Sequence, residues 1–395
     1  MQKYKNQYYA IFLMTLGWSM GGLFRNSLTF AFPMLSQEFA LSSQHNGYLA
    51  ATMALFWMLS IILNGARVEK RGQISVLLQS YLGVVIALLL FLFANNVIVL
   101  YCATALMGFG AGAVVPASLS FLAVQTEPDK RGLAYGIPMA CYTLIGAAIG
   151  SVLLIKIGDL FSWRAIFFTL FVLFAVVIGI LYFSEKKVDF LPNPKAEASA
   201  SNSVFKALQY YNVKIAALMA GLSMAWYFIT AAYTILYLMD SGYDMIVSAG
   251  IFAGFGIGGF LGEAILPALS DKTGRKRTVV VAMALGAISF FGFVVIPMNA
   301  WGMTLALGSA SLFMSGAMDI VATVIPSESV PEHLISSATT LTTSIGECVG
   351  GIMGPFAIGA VLSLLTFQQV YIVLAVVPFI VLLCAILLKK DKYHA

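Results

Sequence analysis

An all-α membrane protein, with twelve transmembrane helices in two pseudo-symmetric six-helix halves, is the fold class this sequence predicts, and three observations predict it. Hydrophobic residues make up 60% of the chain and charged residues 10%, with a mean hydropathy of +0.92, a balance outside the range of water-soluble domains. The apolar residues fall into twelve runs, most of them long enough to cross a bilayer as a helix of about 20 residues. A short charged turn bounded by glycines follows the second run and returns about 200 residues later, after the eighth, as an internal repeat does.

The runs cover roughly 9–34, 46–66, 74–94, 98–125, 133–157, 164–184, 211–238, 246–269, 278–298, 301–325, 333–362 and 367–388. The first reads as a spanning helix and not as a cleaved leader, because it is long, contains Arg25 and leads straight into further spans. At 1.5 Å of rise per residue Arg25 falls a little past its middle. A guanidinium there costs about 3 kcal/mol and cannot escape by losing its proton. Helical spacing puts Trp18, Gly22, Arg25, Thr29 and Phe32 on one face, a mixture suited to a water-filled cavity. Two readings of Arg25 follow: part of a substrate site with Trp18 and Thr29, or a structural partner of a buried acid.

Ser36 to Asn46 is polar and is expected to form the first external loop. The second run closes on Gly65, Glu69, Lys70 and Gly72, and the eighth on Asp271, Lys272, Gly274 and Arg275. Glycines in such turns let helices approach while the charges bridge neighbouring helix ends. These eight residues are the candidate gating loops. Residues 185–210, with two prolines, several Ala and Ser and mixed charge, read as a cytoplasmic linker between halves 1–184 and 211–395.

The seventh run carries Trp226, Tyr227, Tyr233 and Tyr237, aromatics with polar tips that suit a cavity wall, an interface belt or helix packing. Tyr227 and Tyr233 are the candidates for substrate contact. Three acids sit inside apolar runs: Glu263, Asp319 and Glu347, the last nearest the midplane. Each is a candidate proton carrier, and Glu263 equally a partner of the basic loop nearby.

Placing both termini in the cytoplasm puts almost every Lys and Arg on the inner side, with only Lys156 and Arg164 outside. The net charge of +5 is therefore a topology signal of a multi-pass protein of the cytoplasmic membrane, with no nucleic-acid partner expected. Cys102, Cys141, Cys348 and Cys384 lie within apolar runs without metal-ligand spacing, and His45, His333 and His394 lie in predicted loops or the tail. No metal, cofactor or enzyme activity is expected.

The repeated turn resembles the Gly-x-x-x-Asp-Arg-x-Gly-Arg-Arg loop of the major facilitator superfamily, with Glu69 and Lys70 standing for Asp-Arg in the first half and Asp271, Lys272, Gly274, Arg275 and Lys276 in the second. Gly108, Gly110, Gly112 and Pro116 in the fourth run, then Arg131, Gly132, Gly136, Gly146 and Gly150 in the fifth, resemble that family too. The stretch Arg25 to Pro33, followed by Glu38 to Ser42, is similar to its organic-anion branch, which includes sialic-acid and sugar-acid symporters. The resemblance implies a monomeric secondary transporter working by alternating access, with Arg25 holding the carboxylate of a small-molecule substrate. Phe24 stands where the branch has an acid, and Ala111 to Ala113 where some members have a coupling glutamate. The coupling acid has thus moved, to Glu347, Asp319 or Glu263, or anions are exchanged without protons. Two further readings are a proton-driven exporter of lipophilic cations and a non-transporting receptor on the same fold.

Overall fold

The computed structural model describes residues 4–127, 130–188, 190–191, 205–297, 299–331 and 334–389, and these contain helices and turns without a strand. The helices that follow the apolar runs are α1 (Gln7–Phe39), α2 (Ser43–Arg71), α3 (Gln73–Leu92), α4 (Val97–Gln125), α5 (131–160), α6 (Trp163–Lys187), α7 (Tyr211–Asp240), α8 (Met245–Thr273), α9 (Arg275–Val295), α10 (Ala300–Glu328), α11 (335–361) and α12 (Phe367–Leu387). All except α1 are long and apolar enough to cross a membrane by composition alone, eleven candidates among the described residues. The 33-residue α1 has the length, but Arg25, Asn26, Ser27 and Thr29 dilute its apolar character. Three of its polar side chains turn back on their own helix: Ser19 donates to the Thr15 carbonyl, Asn26 to that of Gly22 and Ser27 to that of Phe24.

Contacts divide the chain into two units, Met1–Leu41 with Thr52–Ala198, and Ser42–Ala51 with Ser199–Ala395. The first turns of α2 thus group with the second unit, although the sequence reading assigns the whole helix to the first half.

Within each unit, glycines bring helix backbones into contact at matching places. In the first unit, a β-carbon on Gly108 of α4 would lie 3.1 Å from the Trp57 nitrogen of α2, and one on Gly112 would lie 2.8 Å from the Ser60 β-carbon. In the second, β-carbons on Gly254, Gly258 and Gly262 of α8 would lie 2.6 Å from the Thr304 carbonyl oxygen, 2.7 Å from the Gly308 carbonyl carbon and 2.8 Å from the Leu312 carbonyl carbon of α10. Lipid tails are as apolar as leucine, so close packing of this kind, rather than exclusion from water, joins helices in a bilayer. Buried aromatic pairs fill the remaining space, Phe91 on Phe167 at 4.1 Å and Tyr237 on Tyr371 at 4.0 Å between ring centroids.

The repeat extends to the turns. Gly72 and Gly274, each between two long helices, have φ of 86° and 91°, where a β-carbon is strained. It also extends to π-helical turns at Leu144–Ile149 of α5 and Glu347–Met353 of α11, with a further one at Ile320–Val324 of α10. Gly146 in the first and Gly350 in the second face α1 and α7: their β-carbons would lie 2.6 Å from the Gly22 carbonyl carbon and 2.6 Å from the Ala225 nitrogen.

Side chains cap the starts of four helices. Asn96, Asp244, Asn299 and Thr366 cap α4, α8, α10 and α12 through their side chains, Thr366 in a capping box with Gln369. Lys276 donates to the carbonyls of Ile386 and Leu388 at 2.6 Å, closing the C-terminal end of α12. Beyond the apolar run of α1, Glu38 accepts from the Trp163 indole at 2.5 Å and pairs with Arg164 at 2.9 Å, while Arg164 also donates to the Ala94 carbonyl at 2.8 Å. Of the expected linker, 192–204 lie outside the described residues; α6 runs to Lys187, and Phe205–Gln209 forms a 3-10 turn. Ala207 in that turn is buried against Val213, Val330, Leu334 and Ala338, an apolar anchor within a stretch read as polar.

Replacing Gly258 by valine is expected to destabilise the protein by about 1–3 kcal/mol, the usual cost of overpacking. Gly250→Ala, where a β-carbon meets nothing within 4 Å, should leave stability unchanged or slightly raised; thermal unfolding in detergent compares the two.

Candidate functional site

The candidate site lies in the first unit and is built by helix contacts that fix its side chains. Gly108 and Gly112 of α4 press on the α2 backbone at Trp57, so that residue has little freedom to move. Its ring, 7% exposed, carries the Arg25 guanidinium 4.7 Å from its centroid. A cation over an indole gains about 0.5–2 kcal/mol, enough to offset part of the cost of placing Arg25 in an apolar helix. Gly22 of α1 approaches α5 so closely that a β-carbon would lie 3.2 Å from the Tyr142 carbonyl carbon. That contact brings the Tyr142 ring edge-on to Trp18, with centroids 6.1 Å apart and planes at 72°.

A narrow cavity opens among these rings. Trp18, Gly21, Trp57, Tyr81, Val84, Ala111, Val114, Val115, Tyr142 and Phe174 line it, around a volume of about 20 Å³. Every helix of the first unit contributes a residue. The sequence reading places Gly22 on the cavity face; the structure puts Gly22 against α5 and Gly21 on the cavity, because the backbone contact consumes the Gly22 side of the helix. Thr29, one turn beyond Arg25, is buried. Trp57 and Tyr142 are missing from the sequence-derived set: an aromatic in an apolar run has the same local signature whether it faces lipid, a neighbour or an arginine.

The residues expected from the second half have different surroundings. Tyr227 is half-buried with its ring 5.2 Å from that of Phe255 and 5.3 Å from that of Phe228. Tyr233 is fully buried and its hydroxyl donates to the Pro355 carbonyl at 3.1 Å, which is helix packing rather than a cavity wall. Tyr237 likewise donates to Gln368 at 3.0 Å. Asp319 and Glu347 are both partly buried and stand at the entrances to the π-helical turns of α10 and α11. Glu263 is partly buried on α8, one residue beyond the Gly262 contact with α10.

Of the two charged turns, the second is drawn together by Arg275. Its guanidinium donates to Glu328 at 2.8 and 3.2 Å, to Ser270 at 2.5 Å and to the Pro267 carbonyl at 3.3 Å, and pairs with Asp271 at 2.5 Å. Lys272 is exposed beside it. Glu328, at the end of α10, is the partner that sequence spacing does not reveal, since it lies 53 residues from Arg275. In the first turn, Gly65, Glu69 and Lys70 lie on α2, and their side chains fall outside the described residues.

Long apolar helices built to one plan in each unit, with an arginine over the Trp57 indole in the first, are the architecture of a multi-pass membrane protein. The sequence model of the Major Facilitator Superfamily matches residues 8–355, and the chain belongs to that family. Its members are transporters of small molecules and not enzymes. The chain is 26% identical to the multidrug resistance protein MdtG of Proteus mirabilis (strain HI4320), over 78% of this chain and 75% of that one. It is 24% identical to the 3-(3-hydroxy-phenyl)propionate transporter of Escherichia coli (strain K12), over 84% of this chain and 81% of that one. The fold is shared with a bacterial homologue of the human lysosomal transporter Spinster, in its inward-facing and unoccupied conformation, at a TM-score of 0.77 and 17% identity, covering 97% of both chains.

Arg275→Ala removes the donors for two carboxylates and is expected to lower stability by about 1–2 kcal/mol, because the pairs are partly exposed. Arg275→Lys keeps the charge without the planar fork and should fall between; chemical or thermal unfolding in detergent ranks the three proteins.

Proposed function

We propose that this protein is a secondary transporter that moves a small organic anion or zwitterion across the cytoplasmic membrane by alternating access of its two halves, 1–184 and 211–395. The observation that carries this reading is Arg25, held in the apolar α1 over the Trp57 ring at 4.7 Å. Arginine stays protonated under all physiological conditions, and its planar fork matches a carboxylate with two parallel hydrogen bonds. Charge-assisted bonds contribute about 1.5–3 kcal/mol each, so a two-pronged contact supplies much of the roughly 8 kcal/mol of a micromolar affinity. Trp18 and Thr29 accompany Arg25 on α1, and Tyr227 of α7 remains a separate candidate for substrate contact. Tyr233 is left out because its hydroxyl is engaged at Pro355. The protein acts as a monomer with both termini in the cytoplasm, as the distribution of Lys and Arg supports.

Protons are the coupling ion in this reading, with Glu347 as the principal carrier and Asp319 and Glu263 as its alternatives. Position supports the choice: Glu347 opens a π-helical turn, a feature that recurs at functional sites because it frees backbone groups and widens the helix. The charged turns around Gly65, Glu69, Lys70 and Gly72 and around Asp271, Lys272, Gly274 and Arg275 govern the exchange between states.

A second reading, proton-driven export of lipophilic cations, is favoured by the similarity to MdtG, a multidrug resistance protein. The anion reading is preferred because the one basic residue deep in an apolar run is an arginine, a residue suited to carboxylate recognition, and because a relative of comparable identity is a 3-(3-hydroxy-phenyl)propionate transporter. A panel of carboxylates and cationic dyes, tested by counterflow in proteoliposomes, separates the two.

Arg25→Lys is expected to weaken an anionic substrate about tenfold or more, and Arg25→Ala to abolish its binding, with both variants reaching the membrane. Wild-type affinity in a well-folded Arg25→Ala protein would remove the anion site; loss of folding that is rescued by neutralising an acid would make Arg25 structural instead. Glu347→Gln is expected to keep substrate exchange and lose uphill uptake driven by a proton gradient. Unchanged accumulation in that variant would exclude Glu347 from coupling.

A further inference from the structure

We infer that the first unit binds an anionic phospholipid from the leaflet on the side of the N-terminus, one acyl chain lying in a groove between α1 and α6 and the phosphate meeting Lys187. The site rests on the membrane-spanning fold and needs neither Arg25 nor transport; in the orientation proposed above, the leaflet is the cytoplasmic one. Tyr9 of α1 and Val176, Gly179, Ile180, Phe183 and Lys187 of α6 line the groove, which has a volume of about 580 Å³. Counted from Val176, the other four α6 residues follow at three, four, seven and eleven positions, which places them in one stripe along the helix.

Length, preformed space and charge each point to a lipid. From Val176 to Lys187 the helix rises about 16 Å, half of the roughly 30 Å of hydrocarbon in a bilayer. Val176 is midway along the 25-residue α6 and Lys187 is its last residue, so the groove reaches from the headgroups to the middle of the membrane, the span of one acyl chain. Its floor is open because Gly179 is partly exposed and a β-carbon there would meet nothing within 4 Å. Its side is fixed by a relay: the Ser184 hydroxyl donates to the Ile180 carbonyl at 2.6 Å, and the Tyr9 hydroxyl donates to Ser184 at 2.7 Å. The Tyr9 ring also has Phe12 and Phe190 as neighbours, at 6.1 and 6.5 Å between centroids, which keeps it from closing over the groove. Charge stands at one end only. Val176, Gly179, Ile180 and Phe183 carry no polar side-chain group, and the stripe ends on the exposed Lys187. Lys186 is engaged elsewhere, its ammonium bonded to the Tyr182 hydroxyl and 4.2 Å from that ring's centroid. Glu185, two residues before Lys187, does not share its face of the helix. An apolar trough that ends on a cation, at the level where Tyr8, Tyr9 and Tyr182 are exposed, matches a hydrocarbon chain joined to an anionic headgroup.

The test uses the purified full-length protein in nanodiscs of equimolar phosphatidylglycerol and phosphatidylcholine with the same acyl chains. A photoactivatable chain is placed on one lipid or the other, and the cross-linked peptides are mapped by mass spectrometry. Phosphatidylglycerol is expected to label Tyr9 and the stretch 176–188 about fivefold more than phosphatidylcholine, the ratio that one lysine gives beside an anionic headgroup. Lys187→Gln should bring the two lipids level, while Lys186→Gln keeps a preference of about threefold or more. Gly179→Leu, which fills the groove, should lower labelling of the stretch by both lipids about threefold or more. Equal labelling by the two lipids in the wild-type protein, or an unchanged preference in Lys187→Gln, overturns the site. Labelling spread evenly over every lipid-facing helix marks general contact with the bilayer and overturns it too. Both faces of a nanodisc carry the same lipids, so the result is independent of the orientation of the protein and of its substrate. Should Gly179→Leu fail to fold, Lys187→Gln, at an exposed position, decides by itself.

Discussion

Backbone contact between helices at glycine is the constraint on which the rest of this structure depends. In a bilayer, helices gain nothing from leaving one apolar medium for another, so their association relies on how closely their backbones can approach. The chain uses this device at matching places in both units: α4 on α2 and α10 on α8, α5 on α1 and α11 on α7. The same contacts determine where functional side chains stand. Trp57 is held by Gly108 and Gly112, and Tyr142 is brought to Trp18 by the meeting of Gly22 with α5.

The polar chemistry of the interior is distributed unevenly over this symmetric frame. The first unit places one guanidinium against an indole, and the hydroxyls and amide around it on α1 bond to carbonyls of their own helix. The second unit places carboxylates, Asp319 and Glu347, at the start of π-helical turns. Charged groups inside apolar helices are costly, and the two units carry them with opposite sign.

Outside the apolar interior, charge is used for closure. Arg275 gathers Asp271, Glu328 and two further acceptors at one end of the second unit, and Glu38 gathers Trp163 and Arg164 in the first. Exposed ion pairs contribute little singly. Clustered on one guanidinium that also bonds backbone, they tie the ends of three helices, α8, α9 and α10, to a single side chain.

The spans, the repeat and the unusual position of Arg25 were legible in the sequence, because each depends on composition within one helix or on recurrence along the chain. Gly72 and Gly274 of the charged turns were legible for the same reason and adopt positive φ, whereas Gly65, read as the other end of the first turn, lies within α2. Tyr227 and Tyr233, six residues apart on α7, look alike in sequence, yet one is half-buried among phenylalanines and the other is locked to the Pro355 carbonyl. The exchange of Gly22 for Gly21 on the cavity, the seat of Arg25 on Trp57 and the reach of Glu328 to Arg275 were decided by tertiary structure alone. Each joins residues from different helices, and in a chain so uniformly apolar the choice of which helix face meets which neighbour is made by the fit of backbones and rings, a property that no single stretch of sequence carries.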